Sequence, residues 1–280
     1  MNQRRSTFLI SALAFGFAFL YIPIVSLVVY SFNESKLVTV WAGFSTKWYG
    51  ALLHNDQILS AAWLSVRIAV LNASCAVPLG TLAGFVLARF KRFRGRTLMT
   101  GMITAPLVMP DVIIGLSLLL MFVSLQHLIG WPGRRGMETI TIAHITFSMA
   151  YVAVIVQSRL SGIDESIEEA ALDLGARPAK VFFVITLPII APALISGWLL
   201  SFTLSLDDLV IASFVSGPGA STLPMVIFSK VRLGVSPEIN ALASLIVLLV
   251  AIGVIGANLL MKRRERIRER DMQLALTAND

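Results

Sequence analysis

Long uninterrupted runs of apolar residues are the feature that most constrains this chain. Six of them approach or exceed the length of about 20 helical residues that crosses the roughly 30 Å hydrocarbon layer of a membrane. Because water in that layer cannot satisfy the backbone, such a run has to be a helix unless the chain closes into a barrel, and the alternating pattern of barrel strands is absent. The predicted spans are 8–32, 64–87, 98–125, 140–156, 189–215 and 239–261.

The composition agrees with a membrane protein and excludes other classes. Apolar residues make up 56% of the 280 residues and charged residues only 14%, whereas a soluble domain carries about 25% charged residues. The single cysteine, Cys75, excludes an internal disulfide and a cysteine-rich metal site. The P-loop signature for ATP binding does not occur. We therefore expect an all-α polytopic membrane protein, with one transmembrane domain over 1–280, that is not an enzyme and binds no cofactor itself.

Lysine and arginine are distributed unevenly between the two sides of the predicted spans. Arg4 and Arg5 precede the first span, five basic residues lie at 89–96, three at 157–188 and six at 262–270. These 16 of the 23 basic residues share one side if both termini are cytoplasmic, as the usual inside-positive pattern requires. We attribute the net charge of +7 to topology and contact with anionic lipid, and expect no nucleic-acid partner.

The longest predicted cytoplasmic loop, 157–188, has the pattern of two short helices. Ser166 and Glu169 fit a capping box at the start of the first helix. Gly175 is placed to end that helix as a left-handed cap, and Pro178 to open the second. The hairpin has an apolar, alanine-rich face, which fits either docking of a protein partner or packing beneath its own bundle.

Seven residues of this loop form a spaced pattern. A triplet is followed by three other residues and a glycine, and then by nine other residues and a final segment. They are Glu169, Ala170, Ala171, Gly175, Ile185, Leu187 and Pro188. This arrangement resembles the EAA motif of ABC-importer permeases. The resemblance implies the type I permease fold of six transmembrane helices, with this loop as the coupling helix that docks into a cytoplasmic ATPase. It also implies that the motif transmits ATP-driven motion, and that ATP and magnesium bind to the partner ATPase.

Five further segments are similar to the polyamine (spermidine/putrescine) branch of this family. They are 45–49, 109–111, 205–208, 213–218 and 235–241. The similarity extends over nearly the whole chain and fits the second permease subunit of a putrescine importer best. It implies a complex in the bacterial inner membrane, in which two different permeases join two ATPase copies and a periplasmic binding protein.

Three acidic residues lie within the predicted spans: Asp111, Asp207 and Asp208. A carboxylate at membrane depth is costly and by default marks a substrate path, although paired acids can instead stabilise a bundle. Counted at 1.5 Å per residue from the cytoplasmic end, Asp111 and Asp208 lie at roughly 20 and 24 Å, in the outer half of the bilayer. Neighbouring residues on a helix point about 100° apart, so we expect only one of Asp207 and Asp208 to face the path.

Two more side chains are candidates for that path. Ser205 accompanies the paired aspartates, either in the path or as a structural partner of one of them. Trp48, before the second span, could stack on an ammonium group, although anchoring at the membrane interface is the commoner role of tryptophan. A diamine such as putrescine suits this set, because its two ammonium groups require spaced carboxylates with apolar surface between them.

Other functions remain open from the sequence alone. An ABC permease for another small solute would share part of the same pattern. A gradient-driven transporter is disfavoured by the lack of an obvious internal repeat, and it would leave the cytoplasmic hairpin without a role. A scaffold that transports nothing would not require aspartates within its spans.

Overall fold

In the computed structural model the chain is mostly helical. The described residues are 7–36, 40–90, 92–234, 236–252 and 255–256. In these ranges the helices are α1 (Thr7–Ser31), α2 (Lys47–Leu53), α3 (Asp56–Arg89), α4 (Arg96–Val108), α5 (Asp111–Ile129), α6 (Met137–Ser161), α7 (Ser166–Asp173), α8 (Pro178–Val181), α9 (Leu187–Asp207), α10 (Val210–Val215), α11 (Leu223–Leu233) and α12 (Pro237–Ile252). A π-helical segment, Phe182–Thr186, joins α8 to α9.

Five helices of the described chain are long and apolar enough to cross a membrane, judged by length and composition. They are Leu9–Ser31, Asp56–Arg89, Asp111–Ile129, Met137–Ser161 and the continuous run Pro178–Asp207. The shorter α12 covers the first part of the predicted sixth span. The rest of that span falls largely outside the described residues, as do both termini. The all-α polytopic fold class predicted from the sequence is confirmed.

The third predicted span, 98–125, is two helices instead of one. α4 ends at Val108, and Met109 has an extended conformation with ψ at 139°. A residue before proline is disfavoured in the helical region, and Pro110 itself has no N–H to continue the ladder. Asp111 is therefore the first residue of α5 instead of an interior residue of a long helix.

The fifth predicted span, 189–215, is interrupted as well. α9 ends at Asp207, and Asp208 is extended with ψ at 126°. The chain becomes helical again at Val210, where α10 begins. No proline lies at this break, so its cause has to be sought in the contacts of Asp208.

The described chain divides into two compact units. The terminal unit contains the described residues of Met1–Asp56 and Lys230–Asp280, and with them α1, α2 and α12. The central unit, Gln57–Ser229, contains α4 to α10 and nearly all of α3. The interrupted spans and the predicted coupling loop all lie in the central unit.

Glycines bring α3 and α6 unusually close together in the central unit. A Cβ atom added to Gly84 would lie 2.5 Å from the backbone oxygen of Ala153. At Gly80 it would lie 2.6 Å from the Cβ atom of Val152. Small residues at such contacts stabilise membrane bundles, because apolar helices gain little from leaving lipid unless their backbones pack closely.

A buried amide links three helices of the same unit. The side-chain nitrogen of Asn72, in α3, donates to Oγ of Ser148 in α6 at 3.0 Å. It also donates to the carbonyl oxygen of Ser201 in α9 at 2.8 Å. Interhelical hydrogen bonds of this kind define how the helices are rotated against each other.

We expect Gly84→Ala to destabilise the central unit by about 1–3 kcal/mol, the usual effect of overpacking. The added methyl group meets a backbone oxygen that cannot rotate away. Thermal unfolding of the purified chain in detergent measures this effect. Gly101→Ala in α4 is the matched control, because a Cβ atom there meets nothing within 4 Å. Equal melting temperatures for the two variants would contradict the close packing of α3 on α6.

Candidate functional site

The carboxylate of Asp208 occupies the break between α9 and α10. Its oxygens accept the backbone N–H of Ala212 at 2.7 Å and that of Ile211 at 3.3 Å. These are the groups at the start of α10 that lack a partner within the helix, so Asp208 acts as an N-terminal cap. A negative charge is also favourable at this end of the helix dipole. The break can persist in an apolar environment because its backbone donors are satisfied within the protein.

His144, in α6, connects Asp208 to α9. Its Nε2 atom lies 3.1 Å from Oδ2 of Asp208, and its Nδ1 atom lies 2.7 Å from Oγ of Ser205. Because a carboxylate only accepts, Nε2 carries the hydrogen, and a neutral ring then accepts the Ser205 hydroxyl at Nδ1. The side chain of His144 is 3% exposed and that of Asp208 is 13% exposed. We call these three residues the His144 cluster.

The helices α5 and α10 run in the same direction. α6 follows α5 after the short connection 130–136, and consecutive spans cross in opposite directions. α10 is antiparallel to α6, because Thr139 donates to the carbonyl oxygen of Val215 at 2.7 Å whereas His144 contacts Asp208. Their first turns also lie side by side, because a Cβ atom on Gly115 would lie 3.3 Å from the Cα atom of Ile211.

The other two predicted acids adjoin these first turns in the sequence. Asp111 begins α5 and Asp207 ends α9, and both residues are exposed. Neither forms an ion pair within the described part of the chain. One turn after Asp111, α5 packs directly on α10, because a Cβ atom on Gly115 would lie 2.7 Å from the ring of Phe214. The structure thus separates one internally bound carboxylate, Asp208, from two exposed ones.

The predicted depth of Asp111 assumed one straight helix, and the break before this residue removes that assumption. The position of Asp208 can instead be measured along α6 through its contact with His144. At 1.5 Å per residue, His144 lies about 10 Å from Met137 and about 25 Å from Ser161. The His144 cluster is therefore well away from the middle of α6, towards its Met137 end.

His144 is the residue that sequence reasoning missed. The three histidines are scattered along the chain and match no metal or catalytic motif. The available signal was an imidazole within an apolar span, where a polar side chain requires a partner. Its partners, Ser205 and Asp208, are 61 and 64 residues away in the sequence, so no local spacing could identify them. Among the described residues no group of three or more His, Cys, Asp or Glu could hold a metal.

Trp48 lies in the terminal unit, and its side chain is already engaged. The indole N–H donates to the carbonyl oxygen of Asn33 at 2.7 Å, and the residue is 9% exposed. The ammonium group of Lys47 lies 5.0 Å from the ring centroid, within the range of a cation–π contact. The cation that contacts this tryptophan is therefore the ammonium group of Lys47, which belongs to the same chain.

The predicted coupling loop forms a helical hairpin whose first helix starts differently from the prediction. Ser166 is the first residue of α7, so it does not form the predicted capping box. Asp164 instead satisfies the first N–H group of the helix, because its carboxylate accepts the backbone N–H of Ser166 at 3.0 Å. This hydrogen bond lowers the pKa of Asp164. The acid that binds the start of the helix therefore lies two residues before the predicted cap.

The end of α7 has the geometry that the sequence predicts. Gly175 has φ at +84°, in the left-handed region. Its N–H donates to the carbonyl oxygen of Leu172 at 2.9 Å, and the N–H of Ala176 donates to that of Ala171 at 3.1 Å. These two bonds form a Schellman motif. Pro178 opens α8, as predicted.

The outer face of α7 is uncovered in the chain. Glu169, Ala170 and Gly175 are exposed, and Ala171 is half-buried. Leu174, at the end of the helix, is 89% exposed. An apolar side chain with that exposure on a short polar-flanked helix favours the docking interpretation of the hairpin over packing beneath the bundle.

Comparison with known proteins agrees with this architecture. The chain matches the family described as "Binding-protein-dependent transport system inner membrane component" over residues 76–268. It is 65% identical to the putrescine transport system permease protein PotI of Escherichia coli (strain K12), over 97% of this chain and 96% of that protein. It is 42% identical to the spermidine/putrescine transport system permease protein PotC of the same strain, over 89% of this chain and 92% of that protein.

A solved structure shares the fold at low sequence identity. It is that of a bacterial ABC transporter involved in the import of the acidic polysaccharide alginate, with a TM-score of 0.73 and 17% identity. The match covers 92% of this chain and 98% of that chain. The chain belongs to the family of inner membrane components of binding-protein-dependent transport systems. Such a component is a transport subunit of the inner membrane and not an enzyme.

We expect His144→Leu to lower the melting temperature of the purified chain. The substitution leaves Ser205 without its partner and removes one donor from Asp208, and each buried polar group left unpaired costs about 1–3 kcal/mol. Asp207→Asn is the control, because this exposed carboxylate forms no ion pair in the described part of the chain. If His144→Leu unfolds at the temperature of the native chain, the cluster does not stabilise the break.

Proposed function

We propose that this permease carries a polyamine, with putrescine as the best-fitting substrate, from the periplasm to the cytoplasm. Hydrolysis of ATP on a separate subunit drives this import. The observation that carries the proposal is the pair of exposed carboxylates, Asp111 and Asp207, beside the packed first turns of α5 and α10. Each adjoins an interrupted helix, and interrupted helices commonly line substrate sites in transporters. The 65% identity to a putrescine permease supports the same substrate class.

The contacts of the three acids support different roles for them. A dication such as putrescine requires carboxylates that are not already paired, and a partly desolvated path strengthens the attraction several-fold over that in water. Asp111 and Asp207 meet this requirement, so we assign them to the path. Asp208 is bound by His144 and by the start of α10. We therefore assign Asp208 and Ser205 to the support of the path, where they hold its helices in position without contacting the substrate. The proposed path does not include Trp48, whose ring faces Lys47.

The uncovered face of α7 is the proposed docking surface for the ATPase. Its exposed residues include a glutamate, Glu169, and a leucine, Leu174, which offer a partner a charge and an apolar contact. The residues proposed for coupling are Glu169, Ala170, Ala171, Gly175, Leu187 and Pro188. The left-handed Gly175 supports this role, because it turns the chain sharply from α7 towards α8 and the fifth span.

The proposed complex contains a second, homologous permease and two copies of the ATPase, which bind ATP and magnesium. A periplasmic binding protein delivers the substrate, in keeping with the family description. The aromatic side chains of α1 fit contact with lipid or with the second permease. Phe15 and Phe19, for example, are each 73% exposed.

The charge of the proposed path is tested by Asp111→Asn and Asp207→Asn. Both substitutions keep the shape of the side chain but remove the charge, so we expect putrescine uptake to fall at least tenfold, the effect of about 1.4 kcal/mol. Complex yield and basal ATP hydrolysis should remain. Asp208→Asn is the comparison variant and should instead reduce the yield of folded complex, because its partners are buried. Near-normal uptake in both path variants would contradict the polyamine path.

The proposed orientation places both termini and α7 in the cytoplasm. Two exposed positions of the central unit, Gly133 and Arg94, should then lie on opposite sides of the membrane. In a Cys75→Ser background, we expect a membrane-impermeant thiol reagent to label Gly133→Cys in intact spheroplasts. Arg94→Cys should react only after the membrane is opened. Labelling of Arg94→Cys from outside would reverse the orientation and separate α7 from any cytoplasmic ATPase.

A further inference from the structure

The contact that attaches α7 to the spans is an ion pair outside the recognised motif. Arg89, the last residue of α3, donates from Nε to Oε2 of Glu168 and from Nη2 to Oε1, both at 2.9 Å. A bidentate pair of this kind defines the orientation of both side chains as well as their distance. The two side chains are only 10% and 15% exposed, so solvent screens the pair less than an ordinary surface ion pair.

Two more hydrogen bonds extend this ion pair to other elements. Thr186 donates from Oγ1 to Oε1 of Glu168 at 2.8 Å, and Arg89 donates from Nη1 to the carbonyl oxygen of Leu160 at 3.2 Å. Thr186 is buried and is the last residue of the π segment before α9, and π segments often occur at functional positions. The Arg89–Glu168 strut, as we call these four residues, thus joins α3, α6, α7 and the start of α9.

Apolar packing attaches α7 only weakly. None of its residues, Ser166–Asp173, is buried. Leu174, which follows it, is exposed to 89%. The position of α7 therefore depends largely on polar contacts, in which Glu168 binds Arg89 at 2.9 Å and Glu165, just before the helix, lies 3.9 Å from the same guanidinium.

The neighbouring glutamates Glu168 and Glu169 face different partners. Successive residues on a helix point about 100° apart, so one can bind the bundle while the other faces outwards. Glu168 is held by Arg89 and Thr186, whereas Glu169 is exposed. α7 therefore has one anchored side and one side that is open to a partner.

We propose that the Arg89–Glu168 strut makes α7 move as one body with α3, α6 and α9. Motion imposed on the exposed face of α7 then reaches the helix that ends at Asp207. Arg89 and Glu168 are positioning residues in this scheme, since neither contacts the substrate. The inference rests on the proposed function, because it presumes that an ATPase acts on α7.

The strut is tested by Glu168→Gln in the assembled importer. The glutamine side chain has the shape of the glutamate side chain. It lacks the charge, however, and one of the two oxygens that accept the N–H groups of Arg89. We expect complex yield and basal ATP hydrolysis to remain, while the amount of putrescine imported per ATP hydrolysed falls roughly twofold to thirtyfold, the range for residues that carry coupling. Asp173→Asn is the matched control, because this exposed acid is on the same helix and forms no ion pair in the described chain.

A distance measurement separates the strut from the proposed function. Spin labels at Asp173→Cys and Ser161→Cys, both exposed positions, report the separation of α7 from the end of α6 in a Cys75→Ser background. We expect a narrow distance distribution that is the same with and without nucleotide, and a broad one after Glu168→Gln. The distance distribution can be measured whether or not the importer transports putrescine. A narrow distribution in an importer that does not import putrescine would therefore contradict only the proposed function.

Two outcomes would overturn the strut. One is Glu168→Gln with native coupling and an unchanged, narrow distance distribution. The other is loss of complex yield in both Glu168→Gln and Arg89→Lys, which would make the pair an element of folding instead of coupling. Arg89→Lys retains the charge but not the fork, so it should assemble and show a partial loss of coupling.

Discussion

A carboxylate in an apolar layer requires hydrogen-bond donors, and the donors that bind Asp208 determine the shape of the central unit. The same oxygens accept the first N–H groups of α10 and contact His144, so the charge and the unpaired backbone of the break satisfy each other. This fixes where α9 ends and leaves Asp207 outside the cluster. At the other end of the same span, Glu168 obtains its donors from Arg89 and Thr186. Both ends of the fifth span are therefore positioned by buried or half-buried acids.

Much of this architecture could be predicted because its causes are local. Apolar length identifies the spans, since a helix in lipid has to satisfy its own backbone. Gly175 and Pro178 were predictable because left-handed backbone and the first helical position strongly favour those residues. The interruption at Pro110 also has a local cause. The predicted span 98–125 is continuous there, and for that reason it places Asp111 along a helix that in the structure ends at Val108.

The parts that escaped prediction depend on residues far apart in the sequence. The break after Asp207 has no proline, and its partner His144 lies on another helix. Similarly, Glu168 and Glu169 are indistinguishable in a list of residues, and only the fold shows that Arg89 binds the first of them. Local patterns report backbone preferences and burial, whereas the pairing of polar side chains across helices depends on how the helices are rotated against each other.

The proposed function is that this permease moves a polyamine at the expense of ATP bound to another subunit. Uptake of labelled putrescine tests it most directly, in proteoliposomes that contain the chain, its partner permease and the ATPase. We expect uptake that requires ATP on the side of α7 and the binding protein on the opposite side, and that stops when the ATPase is omitted. Uptake that continues without ATPase or ATP, and that follows an ion gradient, would contradict it.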